Sequence, residues 1–394
     1  MTDTRLRVGV LGAGEVAQVI HLPTLALLSH LYTVTAICDI SEKVRISNKP
    51  QNVPNLQLTR PLQTAHHVAT KFHIPTHTTS PSTVIASPQT DLILNLTSDA
   101  AHEPTTIAAL RAGKSVLLEK PLTLSLPSAQ RILAAERGAP NGARVFVGYM
   151  RRYARSFTQT FLREVGSIER ILYARVRDFS GPNGKFVAES GTFPIKGMGD
   201  VPAEVGAEGE ERLGKLLGEA FEGREVTDER RRFARFLGSL GSHDISLMRE
   251  VLGFPESVGG VSANEPFYSA IFNYRNRKGG KEPFSVTYES GIDGVPEFDA
   301  HFAVYGERKR VMIKYDSPYV KGLPIKVTVQ EVNAEGEMET REVLGSYEDA
   351  YTAELKELYE CLRNGKEIKT SAEDAMEDLR LYDLMYERWE KERV

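Results

Sequence analysis

The feature that most constrains this chain is its opening segment, Arg7-Val8-Gly9-Val10-Leu11-Gly12-Ala13-Gly14-Glu15-Val16-Ala17. An apolar run (Val8, Val10, Leu11) leads directly into Gly-x-Gly-x-x-Ala, and a helical pattern follows. The first glycine permits a tight turn, and the second lets the backbone approach a pyrophosphate. A small third residue, here Ala17, lets helix and strand pack closely. The helix turns its N-terminal N–H groups and positive dipole end toward the phosphates. A second apolar run, Val34-Thr35-Ala36-Ile37-Cys38, ends in Asp39, about 25 residues after Gly14, where a carboxylate would accept hydrogen bonds from adenosine ribose hydroxyls. These patterns predict a Rossmann domain with cofactor contacts at Gly12, Gly14, Glu15, Val16 and Asp39. A carboxylate at Asp39 repels a 2′-phosphate, and Ile40, Ser41 and Glu42 bring no arginine, so NAD is expected over NADP. Arg45 is near enough in sequence to keep NADP open.

At 394 residues the chain is too long for one ordinary core, and two domains are expected. Hydrophobic content of 41%, charged content of 26% and a net charge of −4 describe a soluble globular chain and exclude a nucleic-acid partner. The one basic run, Arg230-Arg231-Arg232, stands among acidic residues and reads as a solvated helix face. Two cysteines, Cys38 and Cys361, form neither a disulfide framework nor a metal-ligand spacing. No metal is expected at His66, His67, His73 and His77, which lack companion carboxylates or thiols. No apolar stretch approaches a membrane span, and the N-terminus reaches the first strand too soon to leave room for a signal peptide. A reducing cytoplasm is the expected location, with no membrane partner and a small molecule as substrate.

Strand and helix patterns alternate over 1–148, as in a parallel sheet with crossover helices. Strands are predicted at Leu92–Leu96, Ser115–Leu118 and Arg144–Gly148, and helices at Thr64–Phe72, Ser82–Ala86, from His102, and at Ser125–Glu136. The polar stretch Ser47–Thr64, with Pro50, Pro54 and Pro61, reads as an inserted loop. Over 149–394 the rhythm changes. Strands are predicted at Ile168–Phe179, Glu256–Ala263, Phe267–Asn276, Phe284–Glu289, Phe298–Tyr305, Lys309–Tyr315, Lys326–Val332 and Glu337–Leu344. Short turns between them imply mostly antiparallel pairing. Helices are predicted at Ser239–Leu252, Asp349–Asn364 and Ser371–Glu392. A Gly- and charge-rich insertion, about 181–229, holds one amphipathic helix near Glu208–Phe221.

In an open α/β sheet, ligands bind beyond the carboxyl ends of the strands. That rule singles out Gly12–Val16, Thr97-Ser98 and Glu119-Lys120-Pro121. A lysine there can stabilise a developing alkoxide, with Glu119 positioning it or a nicotinamide ribose. As residues alone, Glu-Lys-Pro reads equally as a surface turn.

The fingerprint, His21-Leu22-Pro23, Thr97–His102, Ala112-Gly113-Lys114, Glu119-Lys120-Pro121, Gly148-Tyr149-Met150-Arg151-Arg152-Tyr153 and Gly241-Ser242-His243-Asp244 together resemble the Gfo/Idh/MocA oxidoreductase family. That family includes glucose–fructose oxidoreductase and inositol dehydrogenase. The long form, with Tyr-Glu-Ser-Gly and Pro-Tyr-Val-Lys-Gly-Leu-Pro, resembles a fungal branch. The resemblance implies an N-terminal Rossmann domain and a C-terminal α/β domain with a large, mainly antiparallel open sheet. In the family that sheet commonly carries the homodimer or homotetramer interface. The resemblance also implies Lys120 and His243 as catalytic residues, Thr97, Ser98, His102, Glu119 and Arg152 around the cofactor, and Tyr149, Tyr153 and Ser239 as weaker substrate candidates. One departure stands out. Many members carry Asp four residues before the histidine, where this chain has Ser239, and Ser246 replaces another common Asp. Three readings stay open. The chain is a dehydrogenase of a sugar, cyclitol or related ring, a reductase of a carbonyl, enone or imine in fungal specialised metabolism, or a non-catalytic NAD(P)-binding regulator. An apolar pocket lined by Phe179, Phe186, Phe193, Phe233 and Phe236 would favour the second.

Overall fold

The computed structural model describes residues 4–41, 64–196, 201–278 and 280–392. The chain forms two compact units. The first comprises Met1–Gly148, Gly191–Gly223 and Leu355–Asp374, the second Tyr149–Ser190, Arg224–Glu354 and Ala375–Val394.

The first unit is built on β1 (Leu6–Leu11), β2 (Tyr32–Cys38), β3 (Thr76–Thr78), β4 (Leu92–Asn95), β5 (Ser115–Glu119) and β6 (Val145–Gly148). All pair in parallel, in the order β3-β2-β1-β4-β5-β6. β4 and β6 are buried at every position, as strands covered on both faces must be. β3 has three residues, none buried, and its polar Thr-His-Thr sequence leaves no apolar period to read. The helix before β5 runs Asp99–Arg111, three residues ahead of the predicted opening at His102. The order of strands reverses between β1 and β4, which opens a crevice beyond their carboxyl ends. At that point Gly12 has φ of +96°, and a Cβ there would lie 2.5 Å from the Leu96 carbonyl oxygen. Only glycine fits this crossing.

Two segments of the stretch 149–394, residues 191–223 and 355–374, belong to the first unit. In the insertion, helix Ala203–Ala220 buries Leu213, Leu216, Leu217 and Ala220, a single helical stripe. Glu219 on it accepts hydrogen bonds from Ser125 Oγ (2.7 Å) and Arg131 (2.9 Å). The segment 355–374 is tied by Tyr32 to the Leu355 carbonyl, Arg144 to the Cys361 carbonyl and the Val147 N–H to the Thr370 carbonyl. Burial and the Asp39 charge push the Cys38 thiol up to about 12, so it is unreactive at neutral pH. The predicted loop Ser47–Thr64 lies outside the described residues up to 63, as does Arg45.

The second unit carries β7 (Ile171–Ser180), β8 (Ser257–Asn264), β9 (Phe267–Arg275), β10 (Pro283–Ile292), β11 (Phe298–Gly306), β12 (Lys309–Tyr315), β13 (Lys326–Val332) and β14 (Met338–Val343). Their order is β14-β13-β12-β11-β7-β10-β9-β8, and every pairing is antiparallel except β7 with β10. Two-residue turns, Glu265-Pro266 and Glu307-Arg308, fix two of these pairings, β8 with β9 and β11 with β12, because a hairpin can join only antiparallel neighbours. Burial alternates along β7, β9 and β10, so the sheet has one buried and one open face. Helix Asp228–Phe236 carries the basic run Arg230-Arg231-Arg232. Its start is capped by Thr227 Oγ1, which accepts the Arg230 N–H at 3.3 Å. Arg230 and Arg232 pair with Glu390 and Glu265, in keeping with the solvated face read from the basic run.

Among the described residues no helix is long and apolar enough to cross a membrane. Phe302 on β11 is fully buried, its ring 5.3 Å from that of Phe161. Phe302→Ala should destabilise the protein by ~3–5 kcal/mol, read as a lower denaturation midpoint in urea.

Candidate active site

At the carboxyl end of the parallel sheet, the turn after β1 leaves Gly14 exposed and Glu15 and Val16 half-exposed. Helical residues run from Glu15 to Leu27, with a π-helical turn at Ala17–His21. Ala17 is fully buried against the strands, the role expected of the third small residue. A Cβ added to Gly14 would meet nothing within 4 Å, so this face is open to a ligand. Asp39 closes the turn from the side. Its Oδ2 accepts the Ala13 N–H at 2.7 Å and its Oδ1 the Ser41 N–H at 2.9 Å. A carboxylate has about four lone-pair sites, so two remain for ribose hydroxyls.

Beyond β4, Thr97 is half-buried and Ser98 exposed. Asn95, fully buried at the end of the strand, shapes this turn. Its Oδ1 accepts from Thr97 Oγ1 at 2.6 Å, and its Nδ2 donates to Thr106 Oγ1 at 3.1 Å. His102 has a different job from the one expected. Its Nδ1 lies 2.8 Å from the Pro121 carbonyl and its Nε2 3.1 Å from the Thr97 carbonyl. Both ring nitrogens face the main chain, so this buried ring ties the turn after β4 to the turn after β5.

Glu119 ends β5 almost fully buried, and Lys120 follows it half-buried, joined to Pro121 by a cis peptide. Glu119 Oε1 lies 2.7 Å from Nε2 of the fully buried His21, and its Oε2 accepts the Lys120 N–H at 3.2 Å. Burial pushes the Glu119 carboxyl upward. The His21 hydrogen bond and charge, together with Lys120, outweigh this and hold it below the ordinary carboxylate range. Glu119 is therefore an anion whose oxygens are engaged by protein groups on both sides, and it fixes the backbone from which Lys120 projects.

In the second unit, His243 lies in helix Ser242–Leu252, just after a second π-helical turn, Leu237–Gly241. From Gly241 to Met248 every residue is buried except His243, which is half-exposed. The Gly before it is forced, since a Cβ on Gly241 would lie 2.7 Å from Tyr288 Oη. Ser239 is exposed, and its Oγ donates to the Phe236 carbonyl. Ser246 is fully buried. Arg152 is buried and its Nε donates to Glu250, while Tyr149, also buried, donates to Asp378. Tyr153 is buried as well. These three side chains belong to the unit's packed interior.

Beneath His243 lies a charged core that the sequence did not reveal. Arg151 donates through Nη1 to Asp244 Oδ1 (2.7 Å) and through Nη2 to Asp178 Oδ2 (2.8 Å). The Arg151, Asp178 and Asp244 side chains are 4%, 0% and 2% exposed. The guanidinium also lies over the rings of Tyr315 (5.0 Å) and Phe298 (5.8 Å). Burial and the neighbouring Asp178 drive the Asp244 carboxyl well above its ordinary value, although Arg151 opposes the shift. Two buried carboxylates against one guanidinium leave a surplus negative charge, which favours the protonated form of Asp244.

Family models account for both halves of this description. The oxidoreductase-family model with an NAD-binding Rossmann fold, Gfo/Idh/MocA, matches residues 6–149, and the C-terminal alpha/beta domain model of the same family matches 228–394. The chain belongs to the Gfo/Idh/MocA oxidoreductase family. Among curated relatives, scyllo-inositol 2-dehydrogenase (NAD(+)) of Bacillus subtilis is 31% identical over 130 residues, which is 32% of this chain and 37% of that protein. The chain therefore aligns with well under half the length of this relative. Among solved structures, a levoglucosan dehydrogenase in complex with NADH and levoglucosan superposes with a TM-score of 0.68 at 16% identity, covering 98% of each chain. A 3-ketoreductase variant from Actinomadura kijaniata, in complex with TDP-benzene and NADP, gives 0.67 at 17% identity, again covering 98% of each chain. At such identities the likeness is one of fold.

For a Gfo/Idh/MocA member, the sequence reading missed His21, Asn95 and the Arg151–Asp178–Asp244 cluster. His21-Leu22-Pro23 was visible as a motif, but only the folded chain brings His21 to a residue 98 positions away. The five phenylalanines do not gather into one lining. Phe193 is 78% exposed, Phe179 packs on Phe267, Phe186 on Phe298, and Phe233 and Phe236 on Tyr268. His66 and His77 do meet, with Nδ1 and Nε2 3.2 Å apart, but among the described residues no group of three or more His, Cys, Asp or Glu could hold a metal. The charged core yields a test. An Asp244 pKa raised in the folded state stabilises fully below the unfolded value of 3.8, and that contribution is lost as pH rises toward the raised value. Asp244→Asn lacks this loss, so its melting temperature should gain on that of the unmodified protein as pH rises above 3.8. Arg151→Met, which strands two buried carboxylates, should cost ~3–5 kcal/mol.

Proposed function

We propose that this chain is an NAD(P)-dependent dehydrogenase or reductase. It would transfer a hydride between the nicotinamide and a secondary alcohol or carbonyl of a sugar, cyclitol or related cyclic compound. The observation that carries this reading is Lys120, held at the carboxyl end of β5 by the anchored Glu119. When bound, the nicotinamide supplies the hydride acceptor or donor. The open Gly14 face, the left-handed Gly12 and the Asp39 carboxylate suit a dinucleotide. In the oxidative direction Lys120 stabilises the developing alkoxide, and His243 takes the hydroxyl proton. Ser239 and Ser246 do not ionise near neutral pH, so neither replaces a carboxylate base. Asp39 favours NAD, because its charge opposes a 2′-phosphate.

We assign the assembly, a homodimer or homotetramer, to the open face of the C-terminal sheet. Supporting this, Ile271, Thr287, Arg175, Ala303, Met312 and Thr328 stand in cross-strand register. Ile271 in that row is 47% exposed. Beside the row runs a ladder of alternating charge, Arg175–Glu289–Arg177–Asp299, complementary to a copy of itself. Two free, buried cysteines fit a reducing cytoplasm.

Fluorescence titration should show NADH binding at least about tenfold tighter than NADPH, as expected where a carboxylate faces the 2′ position. Against a panel of cyclitols and sugars, Lys120→Met should lower turnover by ~10²–10⁴-fold with NADH affinity nearly unchanged. Full turnover in that variant overturns the mechanism. Ile271→Glu should lower the oligomer mass seen by light scattering, and an unchanged mass removes the sheet from the interface.

A further inference from the structure

The reading that the first unit binds a dinucleotide opens a question about residues 192–196. This stretch of the insertion is fastened at three points, two of them on the fingerprint turn and its helix and one on helix Thr64–Lys71. Gln18, fully buried in the π-helical turn, donates through Nε2 to the Ala13 carbonyl (2.8 Å) and the Ile195 carbonyl (2.9 Å). Its Oε1 accepts the Ile195 N–H at 2.9 Å. A carboxamide that meets both the N–H and the C=O of one residue acts like a neighbouring strand and fixes that backbone in position. Lys71 Nζ donates to the carbonyls of Thr192 and Phe193. Lys196 Nζ lies 3.2 Å from Glu15 Oε2.

The last contact bears on the ligand. Glu15 directly follows Gly14, whose open face is where a pyrophosphate would meet the N-terminal N–H groups of the helix. A carboxylate there has the wrong sign for an anionic ligand. Lys196 is a cation that offsets it, and its side chain is 58% exposed.

Resting on the dinucleotide reading, we propose that Thr192–Lys196 is a cofactor-retaining strap. Gln18 positions it, and Lys196 faces the pyrophosphate while neutralising Glu15. The strap belongs to the insertion and so adds to the binding surface of the fingerprint turn itself. Lys196 is a binding residue, and Gln18 acts through the backbone it holds.

NADH affinity and dissociation rate, read by fluorescence in the full-length protein, test this. Lys196→Ala should weaken NADH by about three- to tenfold at low ionic strength, and the effect should shrink in high salt. Glu15→Gln should tighten NADH, and the double variant should return to within about twofold of the unmodified protein, as opposing charges on one ligand require. If the ion pair merely anchored the segment, both single variants would weaken binding alike, and that result overturns the proposal. So does an affinity unchanged in Lys196→Ala. Gln18→Leu should raise the NADH dissociation rate about tenfold by freeing the Ile195 backbone. The two surface variants keep the test decisive if this core change fails to fold. An unmodified protein that binds neither NADH nor NADPH would refute the dinucleotide reading, a result distinct from failure of the strap.

Discussion

A carboxylate taken out of water must find hydrogen-bond donors, and at the end of β5 this requirement organises the first unit. Glu119 is almost fully buried, so its ionised form persists only because His21 and the Lys120 N–H reach it. His21 sits on the helix that follows the fingerprint, and Lys120 on the turn that carries the proposed chemistry. One short contact thus couples the fingerprint helix to the turn that carries Lys120. His102 and Asn95 complete the arrangement by binding the turn after β4 to its neighbours. The crevice created by reversing the strand order is therefore lined by side chains already committed to specific partners, and Lys120 projects from a fixed backbone.

The second unit applies the same rule with the opposite charge at its centre. Arg151 is buried between Asp178 and Asp244, and burial together with the second carboxylate raises the Asp244 carboxyl above its ordinary value. Such a cluster adds little net stability over an apolar core, yet it is intolerant of losing any one member. It joins β7 to the start of helix Ser242–Leu252. His243 is the one position in Gly241–Met248 that reaches solvent. Burial of the adjoining Asp244 holds that turn of the helix in place.

The insertion shows how a sequence with no recognisable motif can still pack in a defined way on the first unit. Its helix is amphipathic and docks by its Leu213–Leu216–Leu217–Ala220 stripe. Its approach segment uses backbone groups, which carry no sequence signature, and they are met by one buried glutamine.

What was legible in the residues was whatever depends on local periodicity and local stereochemistry. The fingerprint turn, the buried parallel strands, the alternating strands Lys309–Tyr315 and Lys326–Val332, and the C-terminal helices follow from repeats of two or 3.6 residues and from glycine where φ is positive. Lys120 and His243 were marked instead by the family resemblance of the short motifs around them. Short polar elements such as β3 escaped the periodic reading, since three residues contain no period. Tertiary structure alone decided which side chains meet across long separations: Gln18 with Ile195 across 177 residues, His21 with Glu119 across 98, and Arg151 with Asp244 across 93. It also placed 191–223 and 355–374 with the first unit. Hydrogen bonds and ion pairs act over a few ångströms of space irrespective of distance along the chain, so partners of this kind leave no periodic trace in the sequence and exist only once the chain has folded.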